Sequence, residues 1–422
     1  MNSQFVSNFR LDFYPARPLG SIALGILTMC LFACTPTSSS NDANFTVVSL
    51  VSPAGPDSGE ANLSTTDTGE PLLSWLEHGE PTTKLRYATL QDGQWSPAQT
   101  VAEGDDWLVN WADFPAVVPI TGNLWAAQWL RTQAGPGFAY DVAVSISTDA
   151  GKSWHDAVQP HDDGTASEHG FVSLFGWQSG VGTIWLDGRN MVKEAAMPGG
   201  ITLRSAVLHA SGDITDEQVA DDLVCDCCQT DVAMAREGPV VVYRDRTSAE
   251  IRDIYVMRSV NDEWQEAKAV AADGWEISGC PVNGPSIAAD EDRVAVAWYT
   301  AAQGQPKVQL AWSNDGAATF MEPLRIDIGA VMGRVSVVLA DDDSAIVGWL
   351  RRGGSGDGEI CVRKAYVDGR LGEIKVIAHT ELSRPSGFPQ LALAGDKLVL
   401  ARTDISGAKP QVVTSWVDVK SL

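Results

Sequence analysis

The chain has 422 residues, 44% of them apolar, with 39 glycines and 15 tryptophans. That composition builds a large core and excludes a disordered chain. A formal net charge of −24 repels phosphate backbones and anionic lipid headgroups, which excludes nucleic acid as a partner.

Arg10 and Arg17 precede the apolar run Ser21–Phe32, which is too short to span a bilayer and suits the h-region of a signal peptide. The run ends in Leu31-Phe32-Ala33-Cys34. This resembles the lipobox of bacterial lipoproteins, in which a small residue precedes the cysteine that is lipidated after cleavage, although Phe32 is bulkier than that pattern prefers. Residues 1–33 are thus expected to be a lipoprotein signal peptide, with Cys34 the lipidation site and 34–44 a flexible tether. Thr35 rather than Asp after the cysteine points to the outer membrane. The expected location is the bacterial cell envelope, with a lipid anchor as the membrane contact. The alternative is an ordinary secretory signal with an incidental Cys34. Both place the fold in an oxidising compartment.

From residue 45 onward one pattern recurs, a short β-run ending in an aromatic. Its marker residues are Trp75, Trp129, Trp185, Tyr243, Trp298, Trp349 and Arg402, spaced 54, 56, 58, 55, 51 and 53 residues apart. Each period holds about four apolar runs separated by turn residues, with no competing helical periodicity. Four short antiparallel strands repeated at a fixed period predict an all-β fold, a β-propeller spanning 45–422. The last repeat supplies only three strands, and the N-terminal run Phe45–Val51 is left over to complete it. Closing the ring this way removes an exposed sheet edge. Seven blades are preferred, with six as the alternative.

Ser147-Thr148-Asp149-Ala150-Gly151-Lys152-Ser153-Trp154 matches the Asp box, Ser-x-Asp-x-Gly-x-x-Trp, and Ser313–Phe320 is a second copy with Ala317 for the glycine. The physics is a tight turn: the Asp accepts backbone N–H bonds, the Gly takes positive φ, and the aromatic packs beneath. On these motifs the chain resembles the sialidase-like, Asp-box (BNR-repeat) propellers. The segments Cys225–Thr230 (CDCCQT) and Gly279–Pro285 (GCPVNGP) look like a lipoprotein branch of that superfamily. The resemblance implies an axial site on the face opposite the Asp boxes.

Repeat phase locates the side chains of that face. Eighteen residues before each marker, at the start of the innermost strand, stand Cys225 and Cys280 in adjacent repeats, with Trp111, Ser167, Val331 and Arg384 in others. One end of the central channel should therefore collect Asp113, Glu168, His169, Cys225, Cys227, Cys228, Cys280, Asn283, Arg334 and Arg384. The ends of the second strands add Arg189, Arg244 and Arg246. Convergent polar groups in a concave site are the default binding-site expectation.

The cysteines admit several readings. Cys280 can pair in a disulfide with one of Cys225, Cys227 and Cys228. The same sulfurs, with His169, can hold a copper or zinc ion. A redox-active disulfide and a catalytic thiolate are further options. The cofactor expectation is accordingly none, or such an ion at the cysteine cluster.

Sialidases hold the substrate carboxylate with three arginines and use an Asp acid/base and a Tyr–Glu nucleophile pair. The resemblance thus implies a glycoside hydrolase acting on, or recognising, acidic glycans. Asp113, Glu168 and His169 would be the catalytic candidates. Arg189, Arg244, Arg246, Asn283, Arg334 and Arg384 would bind substrate. No Arg-x-Pro follows the tether, and the sequence alone assigns no Tyr–Glu pair. The alternatives are a non-catalytic propeller binding a small ligand or metal, and a scaffold.

Overall fold

The computed structural model describes residues 45–134, 138–192, 199–341 and 343–422. The expected signal peptide, Cys34 and the tether lie outside them. The regular structure of the described chain is strand, and its helices are only short 3₁₀ turns.

Seven antiparallel sheets follow one another along the chain. Their innermost strands are Ser58–Thr65, Ala116–Thr121, His169–Trp177, Asp231–Ala235, Ser286–Asp290, Val331–Asp341 and Gln390–Ala394. Each contacts the innermost strand of the next blade, and the seventh contacts the first, so the ring closes. The architecture is a seven-bladed propeller, and the six-bladed alternative falls. The closure is the expected one. Val48–Leu50 pairs antiparallel with Gln411–Asp418 as the outer strand of blade 7, Val48 opposite Trp416. The second blade departs from four strands: among the described residues its outer edge is a single bridge, Val144 to Val158.

The repeat was visible because each sheet is covered on both faces by its neighbours. A strand in the middle of such a blade reads as a continuous apolar run rather than as an alternation. Gly180–Asp187 is buried along its whole length. The markers Trp75, Trp185, Trp298 and Trp349 are at most 1% exposed. Three of these indoles find a carboxylate for the N–H: Trp75 donates to Glu77 at 3.2 Å, Trp185 to Asp187 at 2.8 Å and Trp298 to Asp273 at 2.7 Å. Such an acceptor satisfies a buried indole N–H; the Trp349 N–H has none among the described residues.

The two Asp-box turns share one set of hydrogen bonds. Ser147 Oγ accepts from Gly151 N at 2.9 Å and Asp149 accepts from Ser153 N at 2.9 Å. Ser313 Oγ accepts from Ala317 N at 3.0 Å and Asp315 accepts from Thr319 N at 2.9 Å. Gly151 and Ala317 both have positive φ, 79° and 65°. Both turns leave the third strand of a blade. They therefore lie at the opposite end of the molecule from the loops that enter the innermost strands.

Candidate functional site

All seven innermost strands line an axial channel of about 360 Å³, walled by small polar residues such as Ser64, Ser173, Thr230, Ser286 and Ser336. At the end where the innermost strands begin, Phe114, Phe388 and Gln229 form its rim. Gln229, from the cysteine-rich stretch, spans neighbouring loops: it donates to Ala112 O at 2.6 Å and accepts from Gly284 N at 3.0 Å.

Two loops on this rim use the same device. In blades 3 and 6 the innermost strand starts with a bulge at Gly170-Phe171 and Gly333-Arg334, where Phe171 and Arg334 have φ of 53° and 54°. A side-chain oxygen from the preceding blade caps each bulge. Asp113 accepts from Phe171 N at 2.9 Å, and Asn283 accepts from Arg334 N at 2.8 Å. Each glycine is required, because a Cβ on Gly170 would stand 2.1 Å from Asp113 Oδ2 and one on Gly333 2.0 Å from Asn283 Oδ1. Asn283, expected to bind substrate, is therefore turned inward as a backbone cap, its amide donating to Pro281 O.

Asp113 is 4% exposed. Burial raises its pKa to about 7 against the lowering effect of the Phe171 N–H, and the charge of Glu168 adds to the rise. Beside it Tyr140, 2% exposed, is bridged to Glu168 along the backbone, and its phenol is coupled to the Glu168 carboxyl. Burial raises the tyrosine further, with the charges of Asp113 and Glu168. Glu168 is half-buried, and burial and the charge of Asp226 raise it in turn. Tyr140 is the residue the repeat phase missed. It begins a third strand, whereas the phase argument followed only first-strand starts and second-strand ends. Third strands start at the same end as second strands finish, and that rule would have found it.

The arginines divide into three groups rather than one cluster. Arg334 is buried, and its guanidinium donates to Ser386 Oγ and to the carbonyls of Gly387 and Ser383 at 2.7 to 3.2 Å. It stacks on Trp111 at 4.8 Å and on Phe388 at 5.7 Å. Among the described residues no carboxylate pairs with it, and burial alone lowers its pKa to about 10. Arg384, exposed, lies 6.0 Å from the same Trp111 ring. Arg244 is 1% exposed and is spent on backbone, donating to the carbonyls of Asn283, Arg252 and Tyr299 and stacking on Trp275. Arg246 and Arg189 are neutralised, Arg246 by Asp226 and Glu250 and Arg189 by Asp187, Asp163 and Glu217. Of these five arginines, Arg334, Arg244 and Arg384 have no described carboxylate partner; the first two are buried and bonded to carbonyls, and Arg384 is exposed at the rim. The other two are paired by local sequence: Arg189 and Arg246 sit within four residues of Asp187 and Glu250.

Cys227 and Cys280 are joined by a disulfide that ties the loops entering blades 4 and 5, with Cα atoms 6.0 Å apart. Cys227 is then not a thiolate donor, so the copper or zinc expectation loses one sulfur of the triplet and Cys280 together. Cys225 and Cys228 remain as buried thiols with their sulfurs within 4.8 Å of each other. Burial raises Cys225, but the Cys228 thiol and the Arg244 and Arg252 guanidinium groups outweigh it and bring it to about 7. Arg252 Nη1 stands 3.5 Å from its sulfur. Burial holds Cys228 well above the ordinary thiol range.

His169 is not at the rim. Its side chain is 0% exposed and stacks on His161 at 3.9 Å, among Asp141, Asp163 and Asp187. Neighbouring side chains on a strand point to opposite sides, so Glu168 at the mouth sends His169 behind it. That corrects its expected catalytic place.

No protein-family model matches the chain, and no curated protein matches it in sequence. Among solved structures, the chain is similar to a protein of unknown function from Dyadobacter fermentans, with 14% identity, 89% of this chain and 98% of that one covered, and a TM-score of 0.48. It is similar to a Hadza microbial sialidase at 14% identity over 74% of this chain and 66% of that one, TM-score 0.44. The endosialidase of phage phi92 is similar at 8% identity over 89% of this chain and 69% of that one, TM-score 0.46.

Proposed function

We propose that the mouth of the channel binds an acidic sugar and hydrolyses its glycosidic bond. The observation that carries this reading is the juxtaposition of the Tyr140 phenol and the Glu168 carboxyl, bridged along the backbone, with Asp113 beside them. A tyrosine whose proton can pass to a carboxylate is a nucleophile in waiting, and a carboxyl with a pKa near 7 is the acid that a leaving oxygen needs. Trp111 offers a face for a sugar ring, and Arg334 and Arg384 beside it offer charge for its carboxylate. The protein would work in the cell envelope, held by a lipid at Cys34, where such glycans are met.

The burial of Tyr140 and Asp113 favours a second reading, in which the mouth recognises the acidic sugar without turning it over. One experiment separates the two. Turnover of a fluorogenic sialoside is measured alongside binding of the free acid, in the wild type and in Arg334→Ala and Arg384→Ala. Turnover that falls in both variants supports hydrolysis. Binding without turnover selects recognition, and neither binding nor turnover of any acidic sugar overturns both.

A further inference from the structure

The cysteines at the channel mouth carry a chemistry that hydrolysis does not use. Four of them make one disulfide, Cys227–Cys280, and two thiols, Cys225 and Cys228. The sulfurs of Cys225, Cys227 and Cys228 all lie within 4.8 Å of one another, so both thiols stand beside the disulfide. Cys225 and Cys228 are each 1% exposed, Cys227 is half-buried and Cys280 is exposed. The sulfurs thus lead from the interior to the surface. The Arg252 guanidinium, itself 2% exposed, aims Nη1 at Cys225 Sγ from 3.5 Å, and its Nε has no acceptor among the described residues. A buried guanidinium aimed at a sulfur favours the thiolate, which accepts a charge-assisted hydrogen bond where a thiol accepts only weakly. Against the effect of burial, the Cys228 thiol and the Arg244 and Arg252 guanidinium groups bring Cys225 to about 7, whereas burial holds Cys228 well above the ordinary thiol range. Near neutral pH the thiolate of the pair is therefore on Cys225 and the proton on Cys228.

We propose that these four cysteines form a thiol–disulfide exchange site, in which the Cys225 thiolate opens the Cys227–Cys280 bond and delivers a thiol to the surface at Cys280, where an external disulfide can react with it. In the first step Cys225 Sγ attacks Cys227 Sγ. The Cys225–Cys227 bond forms, the Cys227–Cys280 bond breaks, and Cys280 leaves with the electron pair as a thiolate. Cys228 then gives its proton to Cys280 through solvent and attacks Cys225 Sγ. That closes Cys225–Cys228 and releases Cys227 as a thiolate. One disulfide has replaced another, so no outside oxidant or reductant enters. Burial of Cys225 does not bar the reaction, because its target is an adjacent sulfur. The spacing of Cys225 and Cys228 is C-x-x-C, which closes readily, whereas Cys227 and Cys228 are neighbours and would close too small a ring. In the last step the Cys280 sulfur attacks an external disulfide, and one sulfur of that disulfide leaves as a thiolate. Exchange also unties the loops entering blades 4 and 5. The second of these carries Asn283, which caps Arg334 N at 2.8 Å, and Gly284, whose N–H holds Gln229 at 3.0 Å. The sulfurs therefore set how firmly this part of the rim is held. None of this depends on the glycan reading.

The test is disulfide mapping of the full chain, held folded without reductant in the presence of N-ethylmaleimide, stopped with acid and read by peptide mass spectrometry. The wild type should accumulate a Cys225–Cys228 disulfide with maleimide on Cys227 and Cys280, a readout that requires no variant to fold. In Cys225→Ser the labelling of Cys280 should fall by at least about 10-fold, because the attacking thiolate is gone. In Cys228→Ser Cys280 should still be labelled, with the disulfide halted at Cys225–Cys227. With glutathione disulfide in place of the maleimide, the wild type should carry a glutathione mixed disulfide on Cys280 and Cys225→Ser should not. The proposal is overturned if the wild type keeps Cys227–Cys280 intact, with or without maleimide on Cys225, or if Cys280 takes neither reagent. It is equally overturned if Cys225→Ser labels Cys280 as fast as the wild type. Sialoside turnover is no part of this readout, so the two ideas fail separately.

Discussion

Two bulges at the channel mouth have one backbone geometry and different chemistry. Gly170-Phe171 is capped by the acid Asp113, and Gly333-Arg334 by the amide Asn283, with φ values one degree apart and nearly equal cap distances. The amide shows that the fold needs only an acceptor oxygen there. A buried carboxyl does the same job at a cost, because its charged form is penalised by burial. A cost that the other bulge avoids is best explained by chemistry. On the proposed reading Asp113 would be the functional cap, and Asn283 is the structural one.

The largest effect that would sharpen this contrast is on turnover. Asp113→Asn should keep the fold, since Asn283 demonstrates the substitution, yet lower the rate on an acidic glycoside by about 10²- to 10⁴-fold, the usual worth of a general acid. Steady-state kinetics beside circular dichroism checks this, and an unchanged rate would make Asp113 as structural as Asn283.

The second effect is on stability against pH. A carboxyl raised from 3.8 to about 7 favours the folded state when protonated. Its contribution is whole below pH about 4 and is lost as pH rises through about 7, at roughly 1.4 kcal/mol per pH unit across that interval. Asp231 and Asp245 are raised too, to about 6 and about 7, so the wild type keeps part of this slope whatever happens at Asp113. The difference between wild type and Asp113→Asn isolates the rest: the wild type should lose ground to the variant between pH 4 and 7. Asn283→Asp should acquire the same slope. Denaturant melts at several pH values measure both.

Smaller differences test the shared geometry. Gly333→Ala should destabilise more than Gly170→Ala. Both place a Cβ within 2.1 Å of the cap oxygen, but only Gly333 also has a left-handed φ, of 83°, and the extra strain is about 1 kcal/mol. Asp113→Ala and Asn283→Ala should cost similar amounts, about 1 to 3 kcal/mol each, by leaving a buried N–H without an acceptor.

Much of this was legible in the chain. Apolar middle strands made the period countable from Trp75 to Arg402, and the leftover Phe45–Val51 foretold the closing strand. First-strand phase brought Asp113, Glu168, Arg334 and Arg384 to one end correctly. What phase cannot give is which way a side chain turns once there. Asn283 and Arg244 arrive at the mouth and are spent on backbone, and His169 turns away behind Glu168. Tyr140 was missed for want of applying the strand rule to third strands.

The central claim is that Tyr140 and Glu168 act together as a nucleophile at this mouth. Its most direct measurement is turnover of a fluorogenic sialoside by Tyr140→Phe, which removes the hydroxyl and keeps the ring. The account predicts a wild type that cleaves the substrate and a folded variant that binds the acidic sugar as before with turnover lowered by at least about 100-fold. Equal turnover by the two proteins would contradict it.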